Sequence, residues 1–315
     1  APADTGLVFV REDIEGDNLI NAHIKYISNT DRGTNLDNGK LRIHTSEHVL
    51  AAITGLEIDN CFICLDGPEV PIMDGSSKFF INALEEAKIV EQNVLREEFF
   101  PSEPITYVCE DSGSKISITP DDNYKINTIV DYKTKVLGKQ EASINHIVEF
   151  KEEISAARTF SFLHELETLL ENGLIKGGDL NNAIVYVDKP LAESNMDILK
   201  KAFNKDSISV TPNGILDNLN LHYPNEAARH KLLDVIGDLA LIGMKIRGKV
   251  IAEKPGHSIN AKFAKKISEV IKSDRKNTLP KIDFEKKPLM DSNQIMKVIP
   301  HRPPFLLIDE VLELS

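Results

Sequence analysis

Residues 225–239, NEAARHKLLDVIGDL, place His230, Asp234 and Asp238 four residues apart. At helical periodicity that spacing lines up one imidazole and two carboxylates on a single face. The intervening Leu232, Leu233, Val235, Ile236 and Leu239 suit the same helix to a packed interior. A helical His-x-x-x-Asp offers a nitrogen and an oxygen ligand side by side. One more histidine would complete the three-ligand set of a catalytic zinc site, which keeps a position open for water. His48 is a candidate for that ligand, and adjacent Glu47 would then take the proton from the water. His257 stands in the Pro-Gly loop KPGHSIN ahead of a helix, a position suited to chemistry rather than packing. Spacing alone leaves a blander arrangement open: a hydrogen-bonded His230–Asp234 helix pair, a solvated Glu47–His48 and an ordinary loop histidine.

Elements must bring these residues together. The pattern predicts strands over 7–11, 19–27 and 61–66, then helices from Thr45, a candidate N-cap, to about Gly55 and over about 76–89. Pro101 and Pro104 flank a change of pattern. Beyond them KISITP and YKINTIVDY alternate as half-buried strands. A helix follows over about 162–172, closed by Gly173, then a strand in NNAIVYVD. The opening helix covers about 225–242, KVIAEK is a strand and a last helix spans about 258–271. Two mixed stretches, 1–98 and 99–270, thus read as two α+β domains. Residues 271–290 are polar and lysine-rich, a linker, and 291–315 begin something new.

Composition narrows the function classes. The 315 residues can bury a sizeable core, and 41% hydrophobic with 27% charged residues is ordinary for a globular protein. A net charge of −12 argues against non-specific nucleic-acid binding. No apolar run approaches the roughly 20 residues of a membrane-spanning helix. Three cysteines, Cys61, Cys64 and Cys109, make no disulfide framework and fit a reducing cytoplasm. Cys61-x-x-Cys64 lies in a strand that reads as buried. Its thiols point to opposite faces with no second pair to complete a metal site, so they read as inert core residues.

The motifs HTSEHVLAAITGLEIDN, DGPEVPIMDGSS, ARTFSFLHELE, NEAARHKLLDVIGDLALIG and KPGHSINAKFAKKI run in that order over about residues 1–270. Together they resemble those of UDP-3-O-acyl-N-acetylglucosamine deacetylases, zinc amidases that commit a sugar nucleotide to lipid A synthesis. The resemblance implies two similar domains, each a small sheet with a pair of helices, and helix layers packed together between the sheets. It implies a Zn²⁺ held by His48, His230 and Asp234, with Glu47 as general base. His257 would protonate the leaving amine and help stabilise the oxyanion, and Asp238 would orient it. The Thr159 hydroxyl would bind the carbonyl oxygen, and Lys231 and Phe160 would contact substrate. An insert near 160–188 would form an acyl-chain passage, with Leu166, Leu169, Leu170 and Leu174 as lining or as plain core. Residues 189–222 exceed the corresponding connection in many relatives and carry no assigned role.

The family also carries an upstream strand and a GLHTG-like motif, so the first sheet is expected to show an uncovered edge. At the other end IMKVIPHRPPFLLIDEVLEL, residues 295–314, resembles the opening of a β-hydroxyacyl-acyl-carrier-protein dehydratase. This implies a bifunctional parent whose dehydratase chemistry, and contact with acyl-carrier protein, lie beyond Ser315. The tail is therefore expected to be poorly ordered or laid on the surface. Two further readings stay open on sequence: a non-catalytic sugar-nucleotide-binding or scaffold module, and a different metal amidase on the same fold.

Overall fold

The computed structural model describes residues 1–165, 182–189, 200, 207–216, 219–278 and 287–311. The chain divides into two compact units, Ala1–Ser268 and Glu269–Ser315.

The first unit opens with β1 (Leu7–Arg11) and β2 (Leu19–Asn21), followed by β3 (Ile27–Asn29), β4 (Asn35–Asp37) and β5 (Arg42–Ile43). Then come α1 (Glu47–Gly55), β6 (Cys61–Leu65) and α2 (Lys78–Glu86). The expected strand over 19–27 is interrupted: the His23 side chain accepts from Lys25 N and starts a 3-10 turn at Ile24–Tyr26. One sheet has the order β2-β1-β6, with β1 and β6 parallel and Phe9 opposite Ile63. Among the described residues β6 pairs on one side only. Phe9, Ile20, Leu36, Ile43 and Ile63 close over Val49, Leu50 and Ile53 of α1 in one core.

That register corrects the cysteine reading. Ile63 and Leu65 point inward, so by alternation Phe62 and Cys64 are exposed, while Cys61 packs at the edge of the core. The two thiols do face opposite ways, but Cys64 is not a core residue.

Next are β7 (Glu98–Phe99), β8 (Ile105–Cys109), β9 (Ser114–Thr119), β10 (Tyr124–Asp131) and β11 (Lys139–Ile144). After them run α3 (Phe150–Glu153), β12 (Phe160–Phe162), β13 (Ile184–Tyr186) and α4 (Glu226–Ala240). The unit closes with β14 (Lys245–Ile246), β15 (Gly248–Glu253) and the start of α5 (His257–Thr278). A five-stranded sheet has the order β11-β10-β15-β9-β8, in which only β10 and β15 are parallel. Strict alternation along β10 buries Tyr124, Ile126, Thr128 and Val130 on one face. The α5 helix runs on to Thr278 rather than ending near 271, since no glycine or proline intervenes before Pro280. Of the helix expected over about 162–172, Phe162 instead ends β12 and residues 163–165 are helical; the remainder, its leucines and most of the 189–222 connection lie outside the described residues.

Helix α4 packs on β10 and β11 on one side and on α1 on the other. The two helices meet at Gly237, where a Cβ would fall 2.1 Å from the Glu47 carbonyl oxygen. Both helices are buried nearly all round, with Glu47, His48, His230, Asp234 and Asp238 inside. The class is α+β. No described helix is long and apolar enough to cross a membrane.

The second unit holds β16 (Met290–Asp291), α6 (Ser292–Val298) and β17 (Glu310–Val311), with β16 and β17 antiparallel. Asp291 and Gln294 form a capping box at the start of α6. Only the end of FLLIDEV is strand.

Candidate metal centre

Loop and helix chemistry set the first ligand. The N-cap of α1 is Ser46, not Thr45. Thr45 takes φ 56° and spends its hydroxyl on Glu69 Oε1 at 3.0 Å. Ser46 Oγ donates to the Thr34 carbonyl at 2.8 Å. The first turn of α1 thereby carries Glu47 and His48 inward against α4.

His48, His230 and Asp234 are each at most 3% exposed. One ligand atom from each lies within 4.8 Å of the other two. Asp234 Oδ1 is 3.4 Å from His230 Nε2 and 4.0 Å from His48 Nε2. The Ala157 carbonyl, 3.1 Å from His230 Nδ1, can only accept; it puts the proton there and leaves Nε2 as a lone pair facing the cluster. Burial holds both imidazoles neutral, with His48 pushed down to about 3 and His230 also lowered. Burial opposes charge on Asp234 too. Charged Lys231, backed by charged His257, outweighs it and holds the carboxyl well below the usual range. Asp234 Oδ2 accepts from Lys231 Nζ at 2.8 Å, yet among the described residues Oδ1 has no hydrogen-bond partner. A bare, buried carboxylate oxygen between two neutral imidazole nitrogens suits a divalent cation, and these donors fit one.

Two titratable groups flank the trio. Glu47 is 2% exposed, and its Oε2 accepts from Thr34 N at 2.9 Å. Burial, then the nearby charges of Asp238 and Asp234, push its carboxyl up to about 7, against the pull of His257. His257, on the first turn of α5, has Nε2 3.9 Å from both Glu47 Oε1 and Asp234 Oδ2. Its Nδ1 is 3.0 Å from Asp238 Oδ2. Burial works against its charged form, but Asp238 and Asp234 prevail and raise it to about 9. At neutral pH this pair can hold a proton acceptor and a proton donor at once.

Asp238 is fully buried and saturated. Thr34 Oγ1 donates to its Oδ1, and Asn260 Nδ2 donates to Oδ2 at 2.8 Å. Sequence reading missed both Thr34 and Asn260. Asn260 had a local signal, three residues after His257 on one helix face. Thr34 had none, being an uncharged loop residue 204 positions from Asp238.

Segment 157–160 completes the surroundings. Lys231 Nζ lies 5.5 Å from the Phe160 ring centroid, and that ring stands edge-on to His230 at 6.3 Å. Thr159, half-buried, donates its N–H to the Gly75 carbonyl at 2.8 Å. Gly75 has φ +83°, and a Cβ there would meet the Asn182 carbonyl oxygen at 2.2 Å and Thr159 Cγ2 at 2.8 Å. Eight of the nine expected site residues lie in or beside one constellation; Thr159 is linked to it only through its chain neighbours Ala157 and Phe160.

The family model described as UDP-3-O-acyl N-acetylglycosamine deacetylase matches residues 1–198 and 192–269. A relative in Porphyromonas gingivalis named bifunctional enzyme LpxC/FabZ is 42% identical over 315 residues, all of this chain and 68% of that protein. The protein of the same name in Bacteroides thetaiotaomicron is 40% identical with the same coverage. A UDP-3-O-acyl-N-acetylglucosamine deacetylase of Acidithiobacillus ferrooxidans is 36% identical over 263 residues, 82% of this chain and 78% of that protein. With the family model matched across the whole first unit, the chain belongs to the UDP-3-O-acyl N-acetylglycosamine deacetylase family.

Proposed function

We propose that this chain hydrolyses the N-acetyl amide of UDP-3-O-(3-hydroxyacyl)-N-acetylglucosamine, releasing acetate and the free amine in lipid A biosynthesis, with zinc as its metal. The observation that carries the reading is the buried His48–His230–Asp234 cluster with its bare Asp234 Oδ1, flanked by Glu47 and His257. His48, His230 and Asp234 would hold the metal, which when bound polarises the amide carbonyl and acidifies water.

The chain's own groups supply the rest. Glu47 accepts the proton of the attacking water through Oε1, the oxygen that Thr34 leaves free. The Thr159 hydroxyl donates to the carbonyl oxygen as negative charge gathers there. His257 donates from Nε2 to the amine nitrogen as the C–N bond breaks. Asp238 keeps the opposite nitrogen protonated and the ring in line. Lys231 and Phe160 bind the substrate beside the cluster, Lys231 staying cationic because Asp234 outweighs the cost of its burial. The proton taken from water and the proton given to the amine balance, so the pair resets when they exchange.

Residues 291–315 we read as the opening of a dehydratase, as the names of the bifunctional relatives support. Acyl-carrier protein would engage that part. We place the protein in the cytoplasm, where its three free cysteines would stay reduced.

The decisive assay is acetate release from the UDP-sugar substrate before chelation, after chelation and after zinc is restored. Turnover lost and regained with stoichiometric zinc is the expected result. Full turnover in metal-free protein would overturn the reading.

A further inference from the structure

Thr34 has no charge and no part in the chemistry just described, yet it is wholly buried between the base and the acid. Its N–H donates to Glu47 Oε2 at 2.9 Å. Its hydroxyl donates to Asp238 Oδ1 and lies 3.4 Å from His257 Nδ1. Its own backbone is pinned, the carbonyl accepting from Ser46 Oγ at 2.8 Å and Ser46 N at 3.2 Å. Gly33 lets this loop come close, since a Cβ there would fall 2.9 Å from Glu47 Oε1.

We propose that Thr34 is a positioning residue that couples the two halves of the acid–base pair, fixing Glu47 with its amide and the Asp238–His257 dyad with its hydroxyl. The inference rests on the deacetylase reading above. Asp238 Oδ2 is already shared by His257 and Asn260, so among the described residues Oδ1 depends on Thr34 for its donor. Without that hydroxyl, Oδ1 is a buried carboxylate oxygen left unsatisfied. The carboxylate then gains by rotating Oδ1 toward another donor, and it takes the His257 ring out of line. The β-branched side chain stiffens the donor's direction. Because one residue holds both groups, a shift of this loop moves base and acid together.

The test uses the full-length zinc-loaded enzyme with Thr34→Val, which keeps the shape but not the donor, and Thr34→Ser, which keeps the donor. Steady-state acetate release, zinc stoichiometry, thermal midpoint and the ¹⁵N-imidazole spectrum of His257 are read for both variants and the unchanged enzyme. A hydrogen bond to a charged group predicts that Thr34→Val lowers kcat about 10–100-fold. KM and zinc content should stay unchanged and the His257 Nδ1 resonance should move. Thr34→Ser should recover most of kcat. The proposal is overturned by a Val variant with normal kcat and an unshifted resonance. It is equally overturned if Ser falls as far as Val while both lose zinc and thermal stability. The imidazole spectrum needs no turnover, so an unchanged enzyme that is inactive on the UDP-sugar would sink the deacetylase reading and still leave the coupling tested.

Discussion

The start and the middle of α4 each bury a carboxylate beside a cation, but they satisfy it differently. Glu226 in the first turn is fully occupied. Its Oε1 accepts from Arg158 N at 3.1 Å and Nε at 2.8 Å, and its Oε2 from His222 N at 2.7 Å. Arg158 Nη2 in turn reaches the Asn220 carbonyl at 2.8 Å. Two turns later Asp234 has Lys231 on one oxygen and, among the described residues, no donor on the other. Both carboxylates are at most 1% exposed, so solvent does not explain the contrast. A buried ion pair with every lone pair used is structural. A buried carboxylate with one oxygen bare beside two imidazoles is arranged for a ligand. Asp238 resembles Glu226 in being saturated, but it spends that saturation on orienting His257.

Breaking the middle of α4 should have the largest effect. His230→Ala is expected to abolish both zinc binding and deacetylation, read by metal analysis and acetate release. Stoichiometric zinc in a His48/His230/Asp234 triple variant would contradict the assignment.

Glu47→Gln should keep the metal and lose about 10²–10⁴-fold in kcat, the usual contribution of a general base. Turnover close to normal would remove Glu47 from that role.

At the other end of α4, Glu226→Ala should destabilise the fold by about 3–5 kcal/mol, because it strands buried Arg158 without its partner. Denaturant unfolding measures this. Under native conditions the folded fraction should still bind zinc. A variant of unchanged stability that loses zinc would reverse the contrast.

The pH profile sharpens the comparison further. Glu47, raised to about 7, accepts a proton only once pH exceeds that value. His257, raised to about 9, donates only below that value. The kcat/KM profile should therefore rise through about 7, hold between, and fall through about 9, the two limbs belonging to the coupled pair. In His257→Ala the basic limb should change; an identical profile would reject His257 as the acid.

The smallest effect is expected from the second unit. Trimming the chain at about residue 285 should leave acetate release unchanged. Loss of deacetylation on trimming would give residues 286–315 a role in that chemistry.

Much of the site was legible because it is local. The His230, Asp234 and Asp238 stripe follows from helical period alone, and the strict alternation of β10 appears as plainly in the sequence as in the sheet. His48 and Glu47 were candidates by residue type, and the resemblance supplied the roles of Thr159, Lys231 and Phe160. What misled was equally local. Thr45 has the right residue type for an N-cap, but a left-handed backbone and the Glu69 side chain claim it, and Ser46 caps by position. Cys64 sits in an apolar run, yet its alternation with Ile63 and Leu65 turns it outward.

By itself, then, the sequence determined the long regular elements, the stripe of site residues along α4 and the chemical types available, because those depend on periods of two and 3.6 residues. Tertiary structure decided which of those types meet. Only packing brings His48 across to Asp234, sets the Ala157 carbonyl on His230 and wedges Thr34 between Glu47 and Asp238. Those contacts join positions far apart in the chain. Their protonation states depend on burial and on charges that arrive only when α1, α4 and α5 close together.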